Sequence, residues 1–384
     1  MTQQRIPAVF MRGGTSKAIM LKEQDLPEDR ALWPALFRKM LGSPDPNGRQ
    51  LDGLGGGISS LSKICVIGPS SRPDADVDYT FAQVSVKTDA VDFSGNCGNM
   101  SSAVGPFAAD EKMVAAPRDG EATVRIHNTN TGKIIRSVFR MAGGEAAVEG
   151  DAVLPGVAGS GAPVRLEFLH PAGTRGKGLL PAGEALTRLT KRDGSAVEAS
   201  LIDAAIPTCF LPASALGVDP TIMPDALDAA GDVLEEIEHL RRQASVAMGI
   251  ASSVDEAAKI IAIPKIGFVA APSSFSDLSG SALAPDDFDI LVRMISAAQP
   301  HRAVPITCSL ALASAAAVEG GVVRALLKPE TDLSRLRLGT PSGIVTVGVK
   351  VNGENAGVPA IEAAHVLRTQ RRLMEGAVCI PNPS

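Results

Sequence analysis

Gly95-Asn96-Cys97-Gly98-Asn99 runs without a break into Met100-Ser101-Ser102-Ala103-Val104-Gly105-Pro106-Phe107. Glycine and asparagine on both sides of the thiol mark a turn. The small residues that follow predict a helix from Met100 to Met113 suited to burial between sheets. A cysteine at the start of such a helix stands in the positive potential of free N–H groups, which makes it an acid/base candidate. The same N–H groups would hold a carboxylate or an enolate-like oxygen. Most free cysteines are inert core residues, and Cys65, Cys209, Cys308 and Cys379 are read that way. Cys97 differs because its flanks are polar turn residues.

Working outward, β-branched or alternating apolar residues predict strands at Ile6 to Met11, Ala18 to Lys22, Lys63 to Ile67 and Tyr79 to Val86. Thr123 to His127 and Ile134 to Met141 flank the turn-rich Asn128 to Gly132 as a hairpin, and Val164 to Phe168 adds a strand. Leu32, Trp33, Leu36, Phe37, Met40 and Leu41 recur at helical spacing. The Gly/Pro-rich and basic stretch from Pro171 to Gly194 is the expected boundary, giving domains 1–185 and 186–384, with the last element free to pack back on the first domain. The second half repeats the style. Strands are expected at Ala199 to Phe210, Ile260 to Val269, Ala303 to Leu310 and Ile344 to Val351, and helices at Asp225 to Met248 and Pro285 to Ala298. Leu227, Ala230, Leu234, Ile237 and Ala244 form one apolar stripe of a plain surface helix. Ser62-Lys63-Ile64 and Pro264-Lys265-Ile266 each place a lysine before a β-branched strand, a weak sign of duplication.

The 384 residues suffice for two domains, with 45% hydrophobic but only 3% aromatic residues, so a base-stacking surface is not expected. A formal charge of −5 without runs of like charge disfavours nucleic-acid and membrane-surface binding. An anionic ligand would therefore need a local cluster of cations and N–H groups. The most apolar stretch, Cys308 to Val318, is too short and too rich in Ser and Ala to span a bilayer, and no export signal is read. The five scattered cysteines, an odd number without a C-x-x-C pair, point to reduced thiols in the cytoplasm.

Other clusters could carry chemistry. Met11-Arg12-Gly13-Gly14-Thr15-Ser16-Lys17 resembles an anion cradle, with glycines for close approach, Arg12 and Lys17 for charge, and hydroxyls as donors. It has neither P-loop nor Rossmann spacing, and a Gly-rich turn with surface charges is the plain reading. Asp52-Gly53-Leu54-Gly55-Gly56-Gly57-Ile58-Ser59-Ser60-Leu61-Ser62-Lys63 again sets a Gly/Ser loop before a strand that begins at a lysine. That lysine is either a solvated strand-edge residue or, in a crowded site, an amine able to take a proton from carbon. His301-Arg302 could bring positive charge to a ligand or be structural, and Gly339-Thr340-Pro341-Ser342-Gly343 offers donors or merely reverses the chain. The five histidines are far apart, and H-e-x-x-H and G-x-S-x-G patterns are missing, so neither a dedicated metal site nor a serine hydrolase is expected.

In this order the clusters resemble the PrpF family of isomerases of unsaturated tri- and dicarboxylic acids. The resemblance covers most of the chain. It rests on Met11 to Lys17, Gly42-Ser43-Pro44-Asp45 leading into Asp52 to Lys63, Val77-Asp78-Tyr79, Gln83 to Val86, Gly95 to Asn99 and Ala103 to Phe107, with weaker motifs at Pro264-Lys265, His301 and the Pro-Ser-Gly turn. Thr340 departs from the histidine usual before that turn, and Ala18 from a usual glycine. The resemblance implies an α/β (α+β), diaminopimelate-epimerase-like fold of two similar halves, each a curled mixed sheet around a central helix, with the site in the cleft between them. It implies an allylic proton shift without metal or organic cofactor, with Lys63 as base and Cys97 as second acid/base or binding wall. Arg12, Thr15, Ser16, Lys17, Ser62, Asn96, Gly98, Asn99, His301, Ser342 and Gly343 would bind carboxylates. The expected reaction is cis–trans isomerisation of 2-methylaconitate. The alternatives are oxalomesaconate tautomerisation, aconitate or methylitaconate isomerisation, a two-thiol epimerase, and a carboxylate-binding accessory protein of an aconitase-like enzyme. The partner expected is a small tri- or dicarboxylate, with no nucleic acid and no membrane, and a homo-oligomer is left open.

Overall fold

The computed structural model describes residues 3–93, 95–261, 263–296, 299–355 and 357–381. Strands β1 (Gln3–Gly13) and β2 (Ser16–Lys22) pair antiparallel, with Gly13 opposite Ser16, so Gly14 and Thr15 form a two-residue turn. Gly14 has φ +53°, the backbone that the first position of a tight hairpin turn demands. Helix α1 (Trp33–Leu41) starts with Pro34 in its first turn and stops at Gly42, whose φ of 72° ends it in a left-handed cap. The chain returns as β3 (Lys63–Pro69), parallel to β2, and β4 (Val77–Val84), antiparallel to β3. Helix α2 (Gly98–Asp110) then crosses to β5 (Gly120–Asn128), parallel to β4, which forms a hairpin with β6 (Lys133–Ala142).

Period-2 alternation sorts this sheet into two faces. Ile19, Leu21, Ile64, Val66, Ala82 and Val84 pack with Trp33, Leu36, Phe37, Met40 and Leu41 of α1 on the outer face. The alternate residues, among them Met20, Cys65 and Tyr79, are turned to the opposite, inner face and are fully buried. Helix α2 packs against this sheet and is buried from Met100 to Ala109. A helix buried all round needs small residues. A Cβ on Gly105 would stand 2.6 Å from the Ser137 hydroxyl. Phe37, wholly buried in the outer core, supplies a stability prediction: Phe37→Ala lowers unfolding free energy by about 3–5 kcal/mol in chemical denaturation.

The second unit repeats the connectivity. Strands β7 (Ala196–Ala204) and β8 (Ile206–Pro212) form an antiparallel hairpin, α3 (Gly231–Ala247) crosses over, and β9 (Lys265–Ala270) lies parallel to β8. Strand β10 (Ile290–Ser296) is antiparallel to β9. Helix α4 (Ile306–Ala316) crosses to β11 (Leu336–Thr340), parallel to β10, and β11 turns into β12 (Gly343–Asn355). The order antiparallel, parallel, antiparallel, parallel, antiparallel is that of unit 1, so the duplication suggested by two lysines holds for whole halves. Ile237, Leu240 and Ala244 of α3 take the outer-core role of α1, and α4, buried from Cys308 to Ala316, is the counterpart of α2. The last strand, β13 (Val358–Pro381), pairs antiparallel with β12 in its first part and with β1 in its last.

Two elements exchange type relative to the sequence reading. Residues 303–310, expected as a strand, enter α4, because the Ala-rich run is buried on every side and shows no helical periodicity for the eye to catch. Of residues 285–298, expected as a helix, 290–296 form β10, where Ile290, Val292 and Ile295 are buried with their neighbours in the middle of the sheet, and Ala297 and Ala298 lie outside the described residues. The expected strand Ala199 to Phe210 is broken at Ala205, φ +60°, into the hairpin β7–β8.

The compact units are Met1–Glu167 with Leu367–Ser384, and Phe168–Val366, against the expected division at 185/186. The Gly/Pro-rich stretch stays in unit 2 because Asp203 at the end of β7 fastens it. Asp203 accepts from the Thr174 hydroxyl and the Arg175 N–H, its carbonyl accepts from Gly173 and its own N–H reaches the Leu179 carbonyl. No helix among the described residues is long and apolar enough to cross a membrane.

Candidate active site

In unit 1 the candidate residues gather where the β1–β2 turn, the start of β3 and the start of α2 meet. Lys63 is the first residue of β3 and shares the inner face with Cys65, since Ile64 and Val66 face α1. Only 8% exposed, its Nζ donates to Gln83 Oε1 at 2.5 Å and lies 5.0 Å from the Phe81 ring centroid. Gln83 is fixed in turn by donating to the carbonyls of Ser62 (2.9 Å) and Ser59 (3.0 Å). The partner is thus a neutral amide; among the described residues no carboxylate pairs with Lys63.

Beneath Lys63, Gln50 organises the Gly/Ser loop. Its Nε2 donates to the hydroxyls of Ser43 and Ser62, each at 2.7 Å, and its Oε1 accepts from Gly57 N–H. A Cβ at Gly55 would stand 2.2 Å from Gln50, and one at Gly53 2.1 Å from Gly42 N. These glycines therefore serve loop packing. Ser62, expected to touch ligand, is wholly buried with its hydroxyl engaged by Gln50, and holds the loop that presents Lys63.

Cys97 caps α2, and no side chain caps the helix. Among the described residues, the N–H groups of Gly98, Asn99 and Met100 have no hydrogen-bond acceptor, whereas the next, Ser101 N–H, already donates to the Cys97 carbonyl. Asn96, Cys97, Gly98 and Asn99 are all half-buried. Cys65 lies within electrostatic reach of both Cys97 and Lys63, and it shares with Lys63 the face opposite α1, while α2, which Cys97 caps, packs on β1, β2 and β3. Burial pushes the Cys65 and Tyr79 pKa values far up, so both groups stay protonated near neutrality.

The double glycine has a structural use as well. A Cβ on Gly13 would lie 2.7 Å from the Asn99 carbonyl and one on Gly14 2.3 Å from Asn99 Oδ1, so only glycine lets the turn press against the first turn of α2. Asn99 Nδ2 donates to the exposed Thr15 hydroxyl at 3.0 Å, and Ser16 is buried on the inner face. Gly14→Ala is expected to cost about 1–2 kcal/mol through its positive φ and to raise KM by displacing Asn99, read by denaturation and steady-state kinetics.

The two cations of this turn go the other way. Lys17 shares the face of Ile19 and Leu21, with Nζ 5.6 Å from the Phe10 ring. Arg12 shares the face of Phe10, and its Nη1 donates to Gly14 O, Thr369 O and Thr369 Oγ1 at 2.9–3.0 Å. Adjacency in sequence grouped them with Lys63; strand alternation turns their side chains to the outer face. Burial, then the charge of Arg371, lowers the Arg12 pKa.

In unit 2, His301 is half-buried. Its Nδ1 accepts the Ala303 N–H at 3.2 Å, leaving Nε2–H as donor, and burial together with the charge of Lys265 lowers its pKa. It offers a neutral donor at pH 7 rather than the positive charge the sequence suggested. Ser342 lies in the Pro341-Ser342 turn between Thr340 and Gly343, where the Thr340 hydroxyl donates to the Gly343 carbonyl at 2.7 Å. Lys265, first residue of β9, repeats the Lys63 position, but α4 is capped by Pro305, and Cys308 is its third residue rather than its cap as Cys97 is of α2. The repeat is not equivalent: Cys308 is wholly buried, and burial pushes its thiol up to about 12.

The chain matches the PrpF protein family over residues 3–381 and belongs to it. It is 39% identical to the 3-methylitaconate isomerase of Eubacterium barkeri, covering 98% of each chain, and 38% identical to the 2-methyl-aconitate isomerase of Shewanella oneidensis, covering 99% of this chain and 98% of that one. A crystal structure of methylitaconate-delta-isomerase superposes with a TM-score of 0.91 at 39% identity, covering 99% and 97%. The protein is an isomerase with a diaminopimelate-epimerase-like fold.

Proposed function

We propose that the protein moves a proton along the allylic unit of an unsaturated tri- or dicarboxylate, with 2-methylaconitate as the substrate and cis–trans isomerisation as the reaction. The observation that carries this reading is an amine without a carboxylate partner and a half-exposed thiol, both within electrostatic reach of Cys65, beside the uncapped N-terminus of a buried helix. Lys63 takes the proton from the allylic carbon, and the electron pair of the C–H bond spreads into a dienolate. The free N–H groups of α2, with Thr15 and Asn99, are donors fixed in advance for the charge that develops on the carboxylate oxygens. A proton then returns from Lys63 or from Cys97: to the carbon that lost it, after rotation about the former double bond in the dienolate, which changes the geometry, or to the other end of the unit, which shifts the double bond. Asn96, Gly98 and Asn99 bind carboxylate, and Ser16, His301, Ser342 and Gly343 contribute donors. The free cysteines fit a cytoplasmic setting.

An epimerase working between two thiols is disfavoured because the second-half thiol, Cys308, is buried and keeps its proton. Initial rates on 2-methylaconitate, methylitaconate, oxalomesaconate and aconitate, measured side by side, test the substrate assignment. The expected outcome is a kcat/KM highest for 2-methylaconitate, and a higher value for another of the four reassigns the substrate.

A further inference from the structure

Three arginines are almost wholly buried: Arg241, Arg293 and Arg368. Every guanidinium nitrogen of Arg241 has an acceptor, from Glu238 and the carbonyls of Ala257, Ile260 and Ile263. Arg293 is likewise filled by the carbonyls of Thr221, Ile222, Val292 and Gly339. These two are structural clamps. Arg368, in β13 and 6% exposed, is different. Its Nε donates to Asn99 Oδ1 at 3.2 Å and its Nη1 to the Leu367 carbonyl at 2.8 Å, while Nη2 has no partner among the described residues and no carboxylate pairs with the group.

Its position sharpens the anomaly. Four residues on, Arg372 lies beside the other end of α2 and is surrounded by Asp110, Glu111 and Glu375. A cation at a helix C-terminus with acids around it is balanced. A buried cation at a helix N-terminus without any acid is opposed both by desolvation and by the helix dipole. Burial lowers the Arg368 pKa to about 10, which still leaves it charged at neutral pH. A ligand carboxylate would cancel both penalties at once, with a planar group that the free guanidinium edge matches.

We propose that Arg368 is a substrate-binding residue, which with Thr15, Asn99 and the first-turn N–H groups of α2 seats one carboxylate of the substrate. This rests on the carboxylate-isomerase reading and adds to it the cation that Arg12 and Lys17, on the outer face, do not supply. The test uses the full-length Arg368→Met and Arg368→Lys proteins, with tricarballylate, a saturated and therefore unreactive tricarboxylate, as calorimetric probe. The expected result is binding at least 30-fold weaker in Arg368→Met, a comparable rise in KM with kcat within about fivefold, partial recovery in Arg368→Lys, and a Tm equal to or above the wild type. Wild-type affinity in Arg368→Met overturns the proposal. So does a lowered Tm with kcat and KM lost alike in both variants, which assigns the arginine to structure. A wild-type protein that binds tricarballylate through Arg368 but isomerises no acid tried keeps the carboxylate seat and removes the isomerase substrate reading instead.

Discussion

Lys63→Ala is expected to bind tricarballylate with near wild-type affinity and to lose turnover by about 10²–10⁴-fold, the contribution of a positioned general base. Binding is expected to survive because the groups proposed to face carboxylate belong to the β1–β2 turn, the first turn of α2 and β13, not to β3. Folding survives because the cost is confined to one unmet acceptor, Gln83 Oε1, about 1–3 kcal/mol. Lys63→Met keeps an unbranched side chain beside the Phe81 ring without the amine, and separates loss of chemistry from loss of packing. Lys63→Arg keeps the charge, but a guanidinium cannot shed its proton, so it is expected to be as inactive as alanine. Calorimetry and single-turnover kinetics check both halves of the expectation, and a Lys63→Ala protein with wild-type kcat would take the residue out of the mechanism.

Cys97→Ser is expected to lower kcat by about 10²-fold or more, because the hydroxyl keeps size and hydrogen bonding but is a far weaker acid. The thiol also gives a chemical readout. Cys65, Cys209 and Cys308 are buried, Cys379 is exposed and Cys97 lies between. In a Cys379→Ser background, iodoacetamide is expected to modify one thiol, at Cys97, with parallel loss of activity, and tricarballylate is expected to slow it. Full alkylation with activity retained would reduce Cys97 to a bystander.

Much of this site can be read from residue types alone. Cys97 stands out because glycine and asparagine surround it, and Lys63 because a Gly/Ser loop delivers it to the first position of a strand. Both readings depend on local chemistry, which sequence displays. What depends on which face of a strand a residue occupies is harder to see. Arg12 and Lys17 are neighbours of the right turn, yet alternation sends them to the α1 side. Arg368 lies among Arg371 and Arg372 in one basic run, and only its place over the first turn of α2 distinguishes a buried cation from solvated ones. The same difficulty explains the exchange of helix and strand in the second half. A helix enclosed on every side, like α4, and a strand buried on both faces, like β10, have no periodicity to tell them apart. The duplication was visible only as two lysines until the strand order showed that both halves are built alike.

The central claim is that double-bond rearrangement proceeds through proton transfer by Lys63 on a carboxylate-stabilised allylic carbon. Proton NMR of 2-methylaconitate with the metal-free protein in deuterium oxide tests it most directly, following isomer ratio and solvent label together in wild type and Lys63→Ala. The expected spectra show deuterium entering the allylic position as the isomers interconvert, and neither change in the variant. Isomers that interconvert with no deuterium uptake at any extent of conversion, or at an undiminished rate without Lys63, would contradict it.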